Sequence, residues 1–122
     1  MTRNYIPERG DAVWLSFDPQ LGHEQAGRRP ALVLSPASYN SKVGLGLFCP
    51  ISKQAKGYAW EVAVPKGHKV SGAVLSDQIK SFDWKERKAD FICQLPAAVV
   101  VEVLEKPAPL LETEAEEREE DR

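Results

Sequence analysis

Apolar positions along this chain come in short runs, each closed off by glycine, proline or charge. In Gly-Asp-Ala-Val-Trp-Leu-Ser-Phe-Asp (10–18), Val13, Leu15 and Phe17 alternate with Trp14 and Ser16, the period of two of a strand with one face buried. Gly10-Asp11 and Asp18-Pro19 bracket that run as turns. Residues 30–35, Pro-Ala-Leu-Val-Leu-Ser, are continuously apolar and predict a second strand, with proline at its first position, where a ladder donor can be spared. After a connection at 36–42 with a single helical turn, strands are predicted at 45–52, 60–64, 73–80 with 81–84 (one or two strands), and 90–95. The loop at 19–29 is long for a hairpin, and the turn at 65–72 holds His68. Residues 96–105, Pro-Ala-Ala-Val-Val-Val-Glu-Val-Leu-Glu, start with proline, place Val100, Val103 and Leu104 at helical spacing and stop before Pro107. They predict a helix, although a run of valines equally suits a strand. Strands 8 to 15 residues apart, with no helical period until the end, predict a small antiparallel β-barrel.

Composition narrows the class. At 122 residues and 43% hydrophobic content the chain can bury one modest core. No stretch approaches the roughly 18 apolar residues of a membrane span, and the first residues lack the apolar run of a secretory signal, so no membrane association and a cytoplasmic location are expected. Cys49 and Cys93 lie within apolar segments without metal-type spacing and are read as small core residues. The net charge of −2 hides an asymmetry: residues 1–104 carry 13 Lys/Arg against 10 Asp/Glu, and residues 105–122 carry 3 against 8. The division expected is therefore a mildly basic domain at 1–106 and an acidic tail at 107–122, too poor in apolar groups for a core and either disordered or transiently helical.

The chemistry sits at strand ends. Gly27 allows a tight turn, and Pro30 biases Arg29 towards an extended backbone, aiming a planar guanidinium suited to bidentate phosphate binding. The two histidines are 45 positions apart and no paired-Asp or Cys motif accompanies them, which argues against a metal site. The polar groups that converge if loops at one end of a barrel meet are His23, Glu24, Gln25, Arg28 and Arg29, then Ser52, Lys53 and Lys56, then Asp77, Gln78 and Lys80. A carboxylate to take the 2′-OH proton, a guanidinium to steady the phosphorane and a further donor for the leaving 5′-oxygen suffice to cleave RNA without a metal.

The runs Gly-Asp-Ala-Val-Trp-Leu-Ser-Phe-Asp-Pro (10–19), 22–36, Tyr39-Asn40, Pro50-Ile-Ser52, Gln54-Ala-Lys56-Gly57-Tyr58 and Asp77-Gln78-Ile-Lys80-Ser81 together resemble the MazF/PemK family of toxin endoribonucleases, over about residues 5–105. The resemblance implies a mainly β fold, a small SH3-like antiparallel β-barrel with short helices including a C-terminal one. It further implies a homodimer that cleaves single-stranded mRNA at short sequences without metal or other cofactor, leaving 2′,3′-cyclic phosphate and 5′-hydroxyl ends. The implied partner is a cognate antitoxin whose disordered C-terminal segment occludes the RNA groove. Carried over by position, Arg29 matches the family's essential arginine, Ser52 stands where a threonine is commoner and keeps the hydroxyl, and Glu24 matches a loop carboxylate tied to activity. Gln25, Arg28, Asn40, Lys56, Gln78 and Lys80 match positions near the groove and are expected to contact RNA. The alternative is a non-catalytic module of the same fold that binds a protein target such as DNA gyrase; Arg29 together with a hydroxyl at position 52 discriminates against it.

Overall fold

The computed structural model describes residues 4–18 and 27–112. Seven strands and three helices follow one another as β1 (Asp11–Ser16), β2 (Arg28–Val33), α1 (Ala37–Val43), β3 (Leu45–Ser52), β4 (Glu61–Ala63), β5 (Ala73–Leu75), β6 (Lys80–Asp83), β7 (Asp90–Gln94), α2 (Ala97–Glu105) and α3 (Ala108–Leu111). All strand pairings are antiparallel. The sheet runs β4-β5-β3-β2-β1-β7, with β6 also paired to β3, and curls into the expected SH3-like barrel, left open between β4 and β7.

Both faces of the central strands are covered, which is why residues 31–34 read as one unbroken apolar run. On one face Ala12, Leu32, Cys49, Ile51, Val62 and Val74 pack with Val99, Val100 and Val103 of α2. On the other, Val13, Leu15, Ala31, Val33 and Phe48 pack with Phe17, Phe82 and Trp84, Phe17 and Phe82 meeting edge to face at 5.3 Å. The valine-rich segment at 97–105 is helical as predicted. Burying three valines on one core outweighs the weak strand preference of β-branched residues. Leu104 stays 45% exposed, and Pro107 ends α2 but also opens α3, the use of proline at a helix start.

The segment predicted as a strand over 73–80 is broken. Val74 lies opposite Ile51 and Lys80 opposite Phe48, so six residues of chain span three of β3. The excess is taken up in a turn at 76–79, closed by the Gln78 amide donating to the Leu75 carbonyl at 3.1 Å. At 36–42 the expected single turn extends to α1, ended by Gly44 in the left-handed conformation at φ 82°. Its first amide, of Ala37, donates to the Glu8 carboxylate at 3.1 Å.

A buried polar knot joins these pieces. Asn40 is completely buried; its amide nitrogen donates to the carbonyls of Pro7 at 2.7 Å and Ser35 at 3.0 Å, and its oxygen accepts from the Ser35 hydroxyl at 2.6 Å. The Ser35 hydroxyl accepts in turn from the Leu47 amide at 2.8 Å, and the Trp84 indole donates to the Asn40 carbonyl at 3.0 Å. At the opposite end of β3, Gly72 has φ +108°, and a Cβ there would lie 1.9 Å from the Ser52 carbonyl oxygen. Only glycine fits that crossing.

Two stability predictions follow from these contacts. Asn40→Ala leaves buried acceptors unpaired and should cost about 3 kcal/mol, a fall in Tm on the order of 10 °C, measured by thermal unfolding. Gly72→Ala combines a disfavoured backbone with a backbone collision and should cost at least about 2 kcal/mol in urea titration.

Candidate active site

The site starts from the ladder between β2 and β3. Ala31 lies opposite Pro50, Leu32 opposite Cys49 and Val33 opposite Phe48. The ladder's last pair is Ala31–Pro50, and two positions beyond it strand alternation puts Arg29 of β2 and Ser52 of β3 on the Val33–Phe48 face. Ser52 is in turn opposite Ala73, and Leu75 opposite Glu61. These residues form a floor on the side of the sheet away from the Ile51–Val62–Val74 core. Over it opens a cleft of about 330 Å³ lined by Ser52, Lys56, Tyr58, Glu61, Leu75 and Gln78 among others.

The outer wall of the cleft is the loop between β3 and β4, and one carboxylate shapes it. Glu61 accepts from the amides of Lys56 (2.9 Å), Gly57 (3.1 Å) and Tyr58 (3.3 Å), a charge-assisted cluster that orders the loop. The Tyr58 hydroxyl donates to Asp77 Oδ2. That bond holds the phenol protonated above its ordinary range. The other carboxylate oxygen, Asp77 Oδ1, is buried with no hydrogen-bond partner. The Ser52 hydroxyl donates to the Gln54 carbonyl at 3.2 Å, a local turn bond that orients it at the end of β3. Beneath the floor, burial and then the charge of Asp77 push the Cys49 thiol up to about 12, which suits the inert core residue expected.

The expected site residues divide as follows. Ser52, Lys56 and Gln78 line the same cleft, and Lys80, opposite Phe48, shares the face of Arg29 and Ser52. Glu24 and Gln25, with His23, lie outside the described residues. Two expectations are corrected. Asn40 is not an RNA contact: completely buried and fully bonded, it is a structural residue. Arg28 is not brought to the cleft, because alternation turns it to the face opposite Arg29, where its guanidinium donates to the Lys88 carbonyl at 2.8 Å. Tyr58 and Glu61 were not among the expected site residues. Their trace in the sequence is slight, an aromatic and a carboxylate flanking a glycine-containing loop.

Arg29 and Ser52 share a face of the sheet, and Ser52 lines the cleft with Lys56 and Gln78; cation, hydroxyl and amide groups of this kind can hold a phosphodiester and stabilise added charge on it. Among the described residues no group of three or more His, Cys, Asp or Glu side chains could hold a metal ion, and no helix is long and apolar enough to cross a membrane.

Comparison with known proteins agrees with the fold and the motifs. Residues 8–110 match the family model described as PemK-like, MazF-like toxin of type II toxin-antitoxin system. The chain is 48% identical over 89 residues to the endoribonuclease toxin MazF of Escherichia coli strain K12, covering 73% of this chain and 79% of that protein. It is 32% identical over 108 residues to the endoribonuclease PemK of Escherichia coli, covering 85% and 81%. Among solved structures, MazF from Deinococcus radiodurans superposes with a TM-score of 0.86 at 52% identity, over 88% of this chain and 98% of that one. A MazE-MazF complex from the same organism gives 0.80 at 52% identity, over 88% and 97%. The chain belongs to the PemK-like, MazF-like toxins of type II toxin–antitoxin systems.

Proposed function

We propose that the chain is a metal-independent endoribonuclease toxin that cuts single-stranded mRNA at short sequences in the cytoplasm, leaving 2′,3′-cyclic phosphate and 5′-hydroxyl ends. The observation that carries this reading is the open cleft lined by Ser52, Lys56 and Gln78, at the end of the β2–β3 ladder whose alternation gives Arg29 the same sheet face as Ser52. The relatives named as endoribonucleases support the activity.

In this reading the 2′-oxygen forms a bond to phosphorus as the P–O5′ bond breaks. Glu24, between β1 and β2 in the sequence, takes the 2′-proton. Arg29 clamps the phosphate and stabilises the phosphorane. It is also the proposed proton donor to the leaving 5′-oxygen. Ser52 gives a hydrogen bond to a non-bridging oxygen. Gln25, Lys56, Gln78 and Lys80 hold the strand on either side of the cut.

A homodimer is part of the proposal. Val43, Leu45 and Leu47 lie exposed along the end of α1 and the start of β3, a cluster of apolar side chains that a second copy would cover. The similarity to MazE-MazF complexes supports an antitoxin partner that lies over the same cleft. The acidic segment beyond Pro107 is proposed as a separate solubilising tail; its last ten residues lie outside the described ones.

Purified protein should cleave a long single-stranded transcript in excess EDTA and leave cyclic phosphate ends. Strict dependence on a divalent ion would remove the mechanism. Arg29→Ala should lower the cleavage rate by roughly 10²-fold or more with unchanged Tm, while Ser52→Thr stays active and Ser52→Ala does not. Near-normal rates in Arg29→Ala would take that residue out of the reaction.

A further inference from the structure

Among the described residues, Tyr58 is the one aromatic side chain on the wall of the cleft that holds Ser52, Lys56 and Gln78. Its ring is 47% exposed, and an aromatic at that exposure on a loop normally samples several rotamers. This ring is held at three points. Its hydroxyl donates to Asp77 Oδ2, its flank meets the Trp60 ring at 5.7 Å and 51°, and its backbone amide donates to the Glu61 carboxylate at 3.3 Å with those of Lys56 and Gly57.

Such holding does little for folding. The ring adds no side chain to either core, and the Asp77 carboxylate that anchors it keeps one oxygen buried and unpaired, an arrangement that costs stability. Fixing an exposed ring in advance has its effect when something flat lies on it, because the entropy of ordering the side chain is already spent before binding. The bases of a single strand are the flat groups that accompany a phosphodiester held at Arg29 and Ser52. Each has a π-face to offer whatever its sequence. Lys56, two residues from Tyr58 on the same wall, supplies a cation for a neighbouring phosphate.

We propose that Tyr58 is a base-stacking residue of the cleft, its ring pre-set by Asp77 and Trp60 to receive one nucleobase of a single-stranded RNA next to the scissile linkage. The inference rests on the nuclease reading and adds to it a subsite and its ligand. Asp77 acts through Tyr58 as a positioning residue.

The test is a cycle between protein and RNA. Once cleavage ends are mapped, a short RNA containing one site, made uncleavable by 2′-deoxy substitution at the scissile ribose, is bound to the full chain and followed by fluorescence anisotropy. Abasic substitutions are then walked along it. Wild type should lose about tenfold or more in affinity at one abasic position. Tyr58→Ala should bind the intact RNA that much more weakly and lose nothing further at the same position, whereas Tyr58→Phe should retain most of the affinity because the ring remains. Asp77→Asn should give an intermediate loss that is also confined to that position. If Tyr58→Ala binds like wild type, or its loss simply adds to the abasic loss at every position, the ring does not stack a base and the inference falls, while wild-type cleavage leaves the nuclease reading intact. Wild type that neither cuts nor binds single-stranded RNA removes both. Unchanged thermal unfolding of the variants checks that the exposed loop has been altered without the fold.

Discussion

The β2–β3 register is the constraint on which the candidate site depends. A slip of one residue between these strands would move Arg29 away from Ser52 and turn one of them to the other face. The pairs Val33–Phe48, Leu32–Cys49 and Ala31–Pro50 are locked from the far end by the buried Asn40. Asn40 bonds Ser35, whose hydroxyl receives the Leu47 amide next to the Leu34–Leu47 backbone bond. A satisfied polar knot tolerates no alternative pairing, because any slip would leave several buried donors and acceptors unpaired. The residue read from sequence as an RNA contact thus acts at a distance from the cleft, by fixing the ladder that aligns it.

The same edge of β3 supplies the rest of the site through a mismatch. β5 and β6 both pair with it, and the three surplus residues between their registers are lifted out as the turn at 76–79. That surplus raises Asp77 and Gln78 above the sheet. Gly72 brings the β4–β5 connection against the Ser52 carbonyl, closer than any side chain allows. The floor of the cleft is therefore set by rigid strands, and its wall by a loop ordered on Glu61 and Tyr58. In the proposed function the strands carry the groups that meet the phosphate, and the loop ordered on Glu61 carries the ring offered to a base.

Much of this was legible in the chain. Alternation and turn residues determined the strands, the apolar run at 31–34 determined a strand covered on both sides, and Pro96 with the spacing of Val100 and Val103 determined the closing helix. Those signals are local, carried by period and by backbone preference. The order of motifs pointed to the family. Tertiary structure alone decided that Asn40 is interior and that Arg28 bonds the Lys88 carbonyl, on the face opposite its neighbour Arg29. It alone decided that the 73–80 segment breaks, and that Tyr58, Glu61 and Asp77 form one wall. Each depends on which residue of a distant strand lies opposite, and an amino-acid sequence carries hydrophobic period without carrying register, since register is settled by the joint packing of both sheet faces.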